Sequence, residues 1–167
     1  MLTFLPQKKS VFHAKKYKRK IKFPPKFCLL FRHKVNDDAT VGVDATTENA
    51  WRQAKKTDTP VLFVINQLDH EKANFDLVVN QLKENFGEKV SIAQYPVSTG
   101  DDFDCIIDLI LMKMLKFSKD GGKAEVLDIP DSEKDKAQEL HLLLIENAAE
   151  GSGELMEKYF ANDTLEI

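Results

Sequence analysis

Apolar residues fall into readable patterns only after about residue 41. The segment TTENAWRQAKK has Thr46 or Thr47 to cap a helix, Glu48 in its first turn and Lys55 and Lys56 in its last. An acidic start and a basic end suit the helix dipole, so a helix is expected near 47–57. Pro60 separates it from VLFVI, a run that does not alternate and so is expected to be a strand buried on both faces, as in a parallel sheet. Phe75, Val78, Val79, Leu82 and Phe86 then recur at helical spacing, and Gly87 ends that helix. A further strand is expected in VSIAQYPV.

The order helix, strand, helix, strand points to an α/β sheet. FDCIIDLILMKMLKF fits neither period, and a buried helix and two short strands remain equally open for it. Asp120-Gly121-Gly122 reads as a turn, AEVLDIP as a strand stopped by Pro130, and Ser132 with Glu133 as the opening of a long helix broken by Gly151 and Gly153. GELMEKYF is a last short helix. Residues 1–40 carry little periodicity; FCLLF could be one strand.

The polar end of VLFVI raises a chemical question. The chain continues Asn66-Gln67-Leu68-Asp69. An amide that meets guanine O6 and N7, with a carboxylate that takes N1–H and N2–H, would select guanine over adenine. A carboxylate facing adenine is left unpaired, at a cost of about 1–3 kcal/mol for each stranded group. Ligands of open α/β sheets bind beyond the carboxyl ends of the strands, which is where this pair would stand. As a bare pattern Asn-x-x-Asp is weak, and the plainer reading is a strand ending in a turn, with Asn66 and Asp69 bonding local backbone.

Charge changes the picture at one end. Residues 1–34 hold eleven Lys and Arg and no Asp or Glu, so all 27 acidic side chains lie on the remainder with 13 basic ones. Such a start suits an acidic partner, and Lys15, Lys16, Lys18, Arg19 and Lys20 are candidates for RNA contact. Cys28 and Cys105 sit in apolar runs and are expected to be reduced, buried thiols. The four histidines share no ligand spacing, so no metal site is expected. Asp101, Asp102, Asp104 and Asp108 read as a solvated loop and strand face, Glu146 and Glu150 as helix surface, and Met112 and Met114 as core fillers. No apolar run reaches the roughly 20 residues of a membrane helix, and the opening MLTFLPQKKS does not fit a secretory signal, so a cytoplasmic protein without membrane contact is expected.

Trp51-Arg52-Gln53-Ala54, Asn66-Gln67-Leu68-Asp69 and Ala73-Asn74-Phe75 together resemble bacterial elongation factor G around its guanine motif, usually Asn-Lys-x-Asp. FDCIIDLILMKMLKF is similar to the family's Ile-Asp-Leu segment, and LHLLLIENAAEGSGELMEKYF to the helices that follow it. The likeness runs from about Gly42 onward. It implies an incomplete P-loop-GTPase-type parallel sheet with an inserted α+β subdomain, in which 103–117 form antiparallel strands. It places 41–75 in the GTPase domain and 76–167 in the insert, after a basic, non-matching and poorly ordered head at 1–40.

The same likeness implies guanine binding by Asn66, Gln67 and Asp69, with GTP or GDP as ligand. It implies the ribosome and its stalk protein as partners, and ribosomal translocation as the parent activity. Gln67 stands where the family has Lys, and His70 where it usually has Arg, which weakens the expected grip on nucleotide. The 167 residues contain no G-x-x-x-x-G-K-[ST] phosphate loop and no Asp-x-x-Gly for Mg²⁺. The expectation is a fragment from a truncated, frame-shifted or recombined gene. It would carry one wall of a nucleotide pocket, with no catalytic residue and no Mg²⁺ site. An interaction module docking to the ribosomal stalk and a basic-headed RNA binder are the alternatives.

Overall fold

The computed structural model describes residues 33–57, 59–88, 90–118, 123–150, 156–157 and 160. The basic segment, FCLLF, Cys28, the Asp120-Gly121-Gly122 turn and most of GELMEKYF lie outside them.

Two sheets share one core. In the first, β1 (His33–Asp38) runs parallel to β2 (Val61–Asn66), with Val35 beside Phe63, Asp37 beside Ile65 and Asp38 beside Asn66. Helix α1 (Ala45–Lys56) connects the two strands as a crossover. In the second, β3 (Gln94–Pro96), β4 (Cys105–Asp108), β5 (Lys113–Lys116) and β6 (Glu125–Leu127) follow one another, all antiparallel. Helix α2 (Phe75–Phe86) joins the two sheets in sequence, and α3 (Asp131–Ala149) follows β6.

The architecture is the expected one: an α/β unit with a parallel sheet, carrying an α+β unit with an antiparallel sheet. The ambiguous stretch resolves into strands, β4 and β5. Side chains alternate across a strand, so Val35, Phe63 and Ile65 share one face of the parallel pair and meet Val78, Val79 and Leu82 of α2 in the core. Val64 on the opposite face is buried as well, which fits the non-alternating run. The core continues without a break into the second sheet through Tyr95, Ile106, Ile107 and Leu109. Full burial of one such side chain contributes about 1.5–3 kcal/mol. Trp51 of α1 stacks on Phe63 at 6.0 Å and lies 5.0 Å from Phe86, whose ring in turn stacks on Phe63 at 5.2 Å. That trio ties α1, β2 and α2 together.

Several local expectations need correction. No strand was expected at 33–38, yet β1 occupies His33–Asp38. Its sequence HKVNDD is polar, and the strand is held by parallel pairing with β2 rather than by its own pattern. The cap of α1 is Asp44, not Thr46 or Thr47: its carboxylate accepts from the Thr47 N–H at 2.9 Å. That bond holds the Asp44 carboxyl below the usual range. Within VSIAQYPV only Gln94–Pro96 forms a strand, and it pairs with β4 rather than extending the sheet of β2. Helix α3 starts at Asp131 with no side-chain cap, one residue before the expected opening. Cys105 is a buried free thiol, and burial, with Asp104 nearby, pushes it up to about 11.

A candidate guanine-recognition loop

The loop at 66–69 leaves the carboxyl end of β2, and its backbone is held from two sides. The Ala39 N–H donates to the Asn66 carbonyl at 2.9 Å. The His70 N–H donates to the Gln67 carbonyl at 3.2 Å, and the Gly100 N–H to the Leu68 carbonyl at 2.8 Å. Three consecutive carbonyls are thus satisfied, by β1's end, by the loop itself and by the turn between β3 and β4. Gln67 takes the left-handed conformation, φ 59°, which reverses the chain there. Leu68 turns into the core at 3% exposure, and this sends its neighbour Asp69 outward.

The three candidate side chains behave differently. Asp69 is exposed and has no side-chain partner among the described residues, so its carboxylate is free to accept from a ligand. Asn66 stands on the face of the parallel pair opposite Phe63, and its Oδ1 is buried without a partner among the described residues. Guanine O6 and N7 are acceptors, so only the Asn66 Nδ2 could serve them. Gln67 does not extend freely: its Nε2 donates to Asp38 Oδ2 at 2.6 Å. Asp38 Oδ1 accepts from the Thr40 N–H at 2.8 Å and from the Thr40 hydroxyl at 2.7 Å. The loop therefore brings all three candidates to one end of β2, with Gln67 anchored sideways to β1.

Asp38 and Gly100 escaped the sequence reading. Asp38 lies in the stretch read as non-matching, and its role depends on the register that sets it beside Asn66. Gly100 is more than 30 positions from the loop, and no local pattern announces the contact. A cleft of about 330 Å³ lies nearby, lined by Asn74, Asp76, Ser98, Thr99 and Lys136 among others, but none of the three candidate residues lines it. The reading of the acidic group also needs correction. Asp101 and Asp102 are exposed, but Asp108 is buried, and Asp104 is half-buried. Glu146 and Glu150 are exposed on or beside α3, and Met112 and Met114 pack against the core.

A second buried carboxylate sits on the other face of β1. Asp37 Oδ1 accepts from the Thr47 hydroxyl at 2.5 Å, while Oδ2 is buried with no partner among the described residues. Burial pushes this carboxyl up to about 6, with the Thr47 bond opposing and Asp44 adding to the rise.

Comparisons with known proteins bear on the whole arrangement. A crystal structure of a Thermus thermophilus protein superimposes with a TM-score of 0.64 at 23% identity, over 75% of this chain and 18% of that one. At that identity the likeness speaks for the fold, and this chain spans less than a fifth of that protein's length. The profile of the family described as "Elongation factor Tu GTP binding domain" matches residues 37–160, starting inside β1 and including the whole 66–69 loop. A match over that much of the sequence makes this chain a member of the Elongation factor Tu GTP binding domain family, a family of translational GTPases.

Proposed function

We propose that these residues form the guanine-recognition part of an elongation factor G-like translational GTPase, one whose whole protein drives ribosomal translocation with GTP. The observation that carries the reading is the 66–69 loop. Its backbone is fixed at three carbonyls while the Asp69 carboxylate stays exposed and unengaged among the described residues. In this reading Asp69 accepts from guanine N1–H and N2–H, and the Asn66 Nδ2 donates to O6 or N7. Gln67 lines the base from its anchor on Asp38. The GTPase part reaches back to His33, since β1 pairs with β2. Residues from about 76 onward form the inserted subdomain. These 167 residues alone hydrolyse no GTP, and they hold nucleotide weakly.

The test is the melting temperature with excess GDP–Mg²⁺ against excess ADP–Mg²⁺. A ligand that binds only the folded chain stabilises it by about 2.7 kcal/mol at a hundredfold excess over Kd. A rise with GDP and none with ADP is expected, lost in Asp69→Asn. Equal shifts with the two nucleotides, or none with either, would overturn the guanine reading.

A second reading concerns partners. Leu142 and Leu143 of α3 are exposed at 44% and 45%, a poor use of leucine on a lone surface. They favour docking of α3 to the ribosomal stalk protein. Capture of this chain by ribosomes without nucleotide, reduced by Leu142→Ser with Leu143→Ser, is the expected result.

A further inference from the structure

We propose that Gly100, on the antiparallel unit, is a positioning residue for the guanine loop: its N–H fixes the Leu68 carbonyl and thereby the stance of Asp69. The inference rests on the reading of Asp69 as the base-reading carboxylate. Gly100 itself touches neither that carboxylate nor a base.

The connection is short and stiff. Gly100 is buried and opens a 3-10 turn, Gly100–Asp102, with φ +81°. Its N–H meets the Leu68 carbonyl at 2.8 Å, and its own carbonyl accepts from the Phe103 N–H at 3.0 Å. The Ser98 hydroxyl donates to the Asp102 carbonyl at 2.7 Å, and the Val97 N–H donates to the Cys105 carbonyl at 3.1 Å. The turn is thereby locked into the β3–β4 hairpin. On the other side, Leu68 is anchored in the core and Asp69 is the next residue along. A rigid hairpin thus reaches the reading carboxylate through one hydrogen bond and one peptide unit.

Glycine is selected here by conformation and not by space. A Cβ on Gly100 would lie 3.8 Å from the Glu71 Cα and 3.9 Å from the His70 carbonyl oxygen, both ordinary contacts. The left-handed φ is what an alanine resists and what asparagine tolerates better. Alanine should therefore shift the turn and loosen its N–H from Leu68, and asparagine should restore most of that bond.

Amide hydrogen exchange on the full chain tests this, in wild type, Gly100→Ala and Gly100→Asn, beside GDP–Mg²⁺ binding. In wild type, the Gly100 amide is expected to exchange more slowly than those of its exposed neighbours Asp101 and Asp102. In Gly100→Ala, amides of residues 66–71 exchange about tenfold faster and GDP binds about tenfold more weakly, the scale of a strained left-handed residue. Gly100→Asn recovers most of both. A Gly100 amide as fast as its two neighbours, or unchanged 66–71 exchange in Gly100→Ala, would overturn the inference. If the alanine variant does not fold, the wild-type Gly100 amide and the asparagine variant decide it. Faster loop exchange in a chain whose wild type binds no GDP would sink the guanine reading alone and leave Gly100 as the residue that holds the loop.

Discussion

Asp37 and Asp108 are both buried carboxylates at strand ends, exposed at 2% and 3%, and they live in opposite circumstances. Asp108, in the antiparallel sheet, is surrounded by donors. Its Oδ1 accepts from the Ile110 and Leu111 N–H groups at 2.9 Å each, and its Oδ2 from Gln94 Nε2 at 2.6 Å. Asp37, in the parallel pair, has one donor among the described residues, and its second oxygen has none there, like the Asn66 Oδ1 on the opposite face of the same pair. A buried polar atom without a partner costs about 1–3 kcal/mol. The antiparallel unit thus meets the polar needs of its buried carboxylate. The parallel pair keeps two buried acceptors with no partner among the described residues, and it is the unit that carries the candidate ligand loop.

The sharpest way to break this comparison is Asp108→Ala. It strands two backbone N–H groups and the Gln94 amide, and a loss of about 3 kcal/mol is expected by denaturant unfolding. A loss as small as that of a surface change would mean Asp108 is not the organiser of its hairpin.

Asp37→Asn should act in the other direction, with a gain of about 1–2 kcal/mol at neutral pH, because it removes a buried charge and keeps an acceptor for Thr47. The pH dependence gives a second check. Asp37 is pushed up to about 6 from 3.8, so the folded chain holds this proton more tightly than the unfolded one. Stability from this group is therefore greatest below about pH 4 and falls as pH rises to about 6, by about 3 kcal/mol in all. Melting temperatures measured across that window should fall in wild type and flatten in Asp37→Asn.

Asp69→Asn should leave stability within about 0.5 kcal/mol, since the side chain is exposed and unpaired among the described residues, while the GDP-specific rise disappears. A large stability change would make Asp69 a structural residue and remove it from the ligand reading. The smallest effect belongs to Glu48→Ala, which breaks an exposed pair with Arg52 at 3.1 Å one helical turn away. About 0.3–0.5 kcal/mol is expected, fading in high salt.

The regions differed in legibility for the same reason. Helix α2 could be read almost to the residue, because its apolar spacing and Gly87 are local signals. The run at β2 announced its double burial in the same way. Strand β1 could not be read, because HKVNDD offers one buried apolar side chain, Val35, among polar ones, and its pairing is with residues 28 positions away. Asp44 lost to Thr46 and Thr47 on paper because all three can cap; backbone conformation alone distinguishes them. Asp108 read as solvated because a sequence shows the carboxylate and not the two N–H groups that a tight β4–β5 turn aims at it. At the candidate site, Asn66, Gln67 and Asp69 were visible as a motif. Asp38 and Gly100, which hold the loop, were not, because each contact closes a long stretch of chain.

Trp51 is the chain's single tryptophan, and it packs against the stacked Phe63 and Phe86 rings. Its emission therefore reports first on the surroundings of α1, β2 and α2. Melting followed by that emission, set against melting followed by the far-ultraviolet signal of the whole backbone, would reveal whether the two sheets come apart together. Coincident curves would describe one cooperative body. An earlier optical transition would describe a parallel unit that loosens first, with light alone and no label attached.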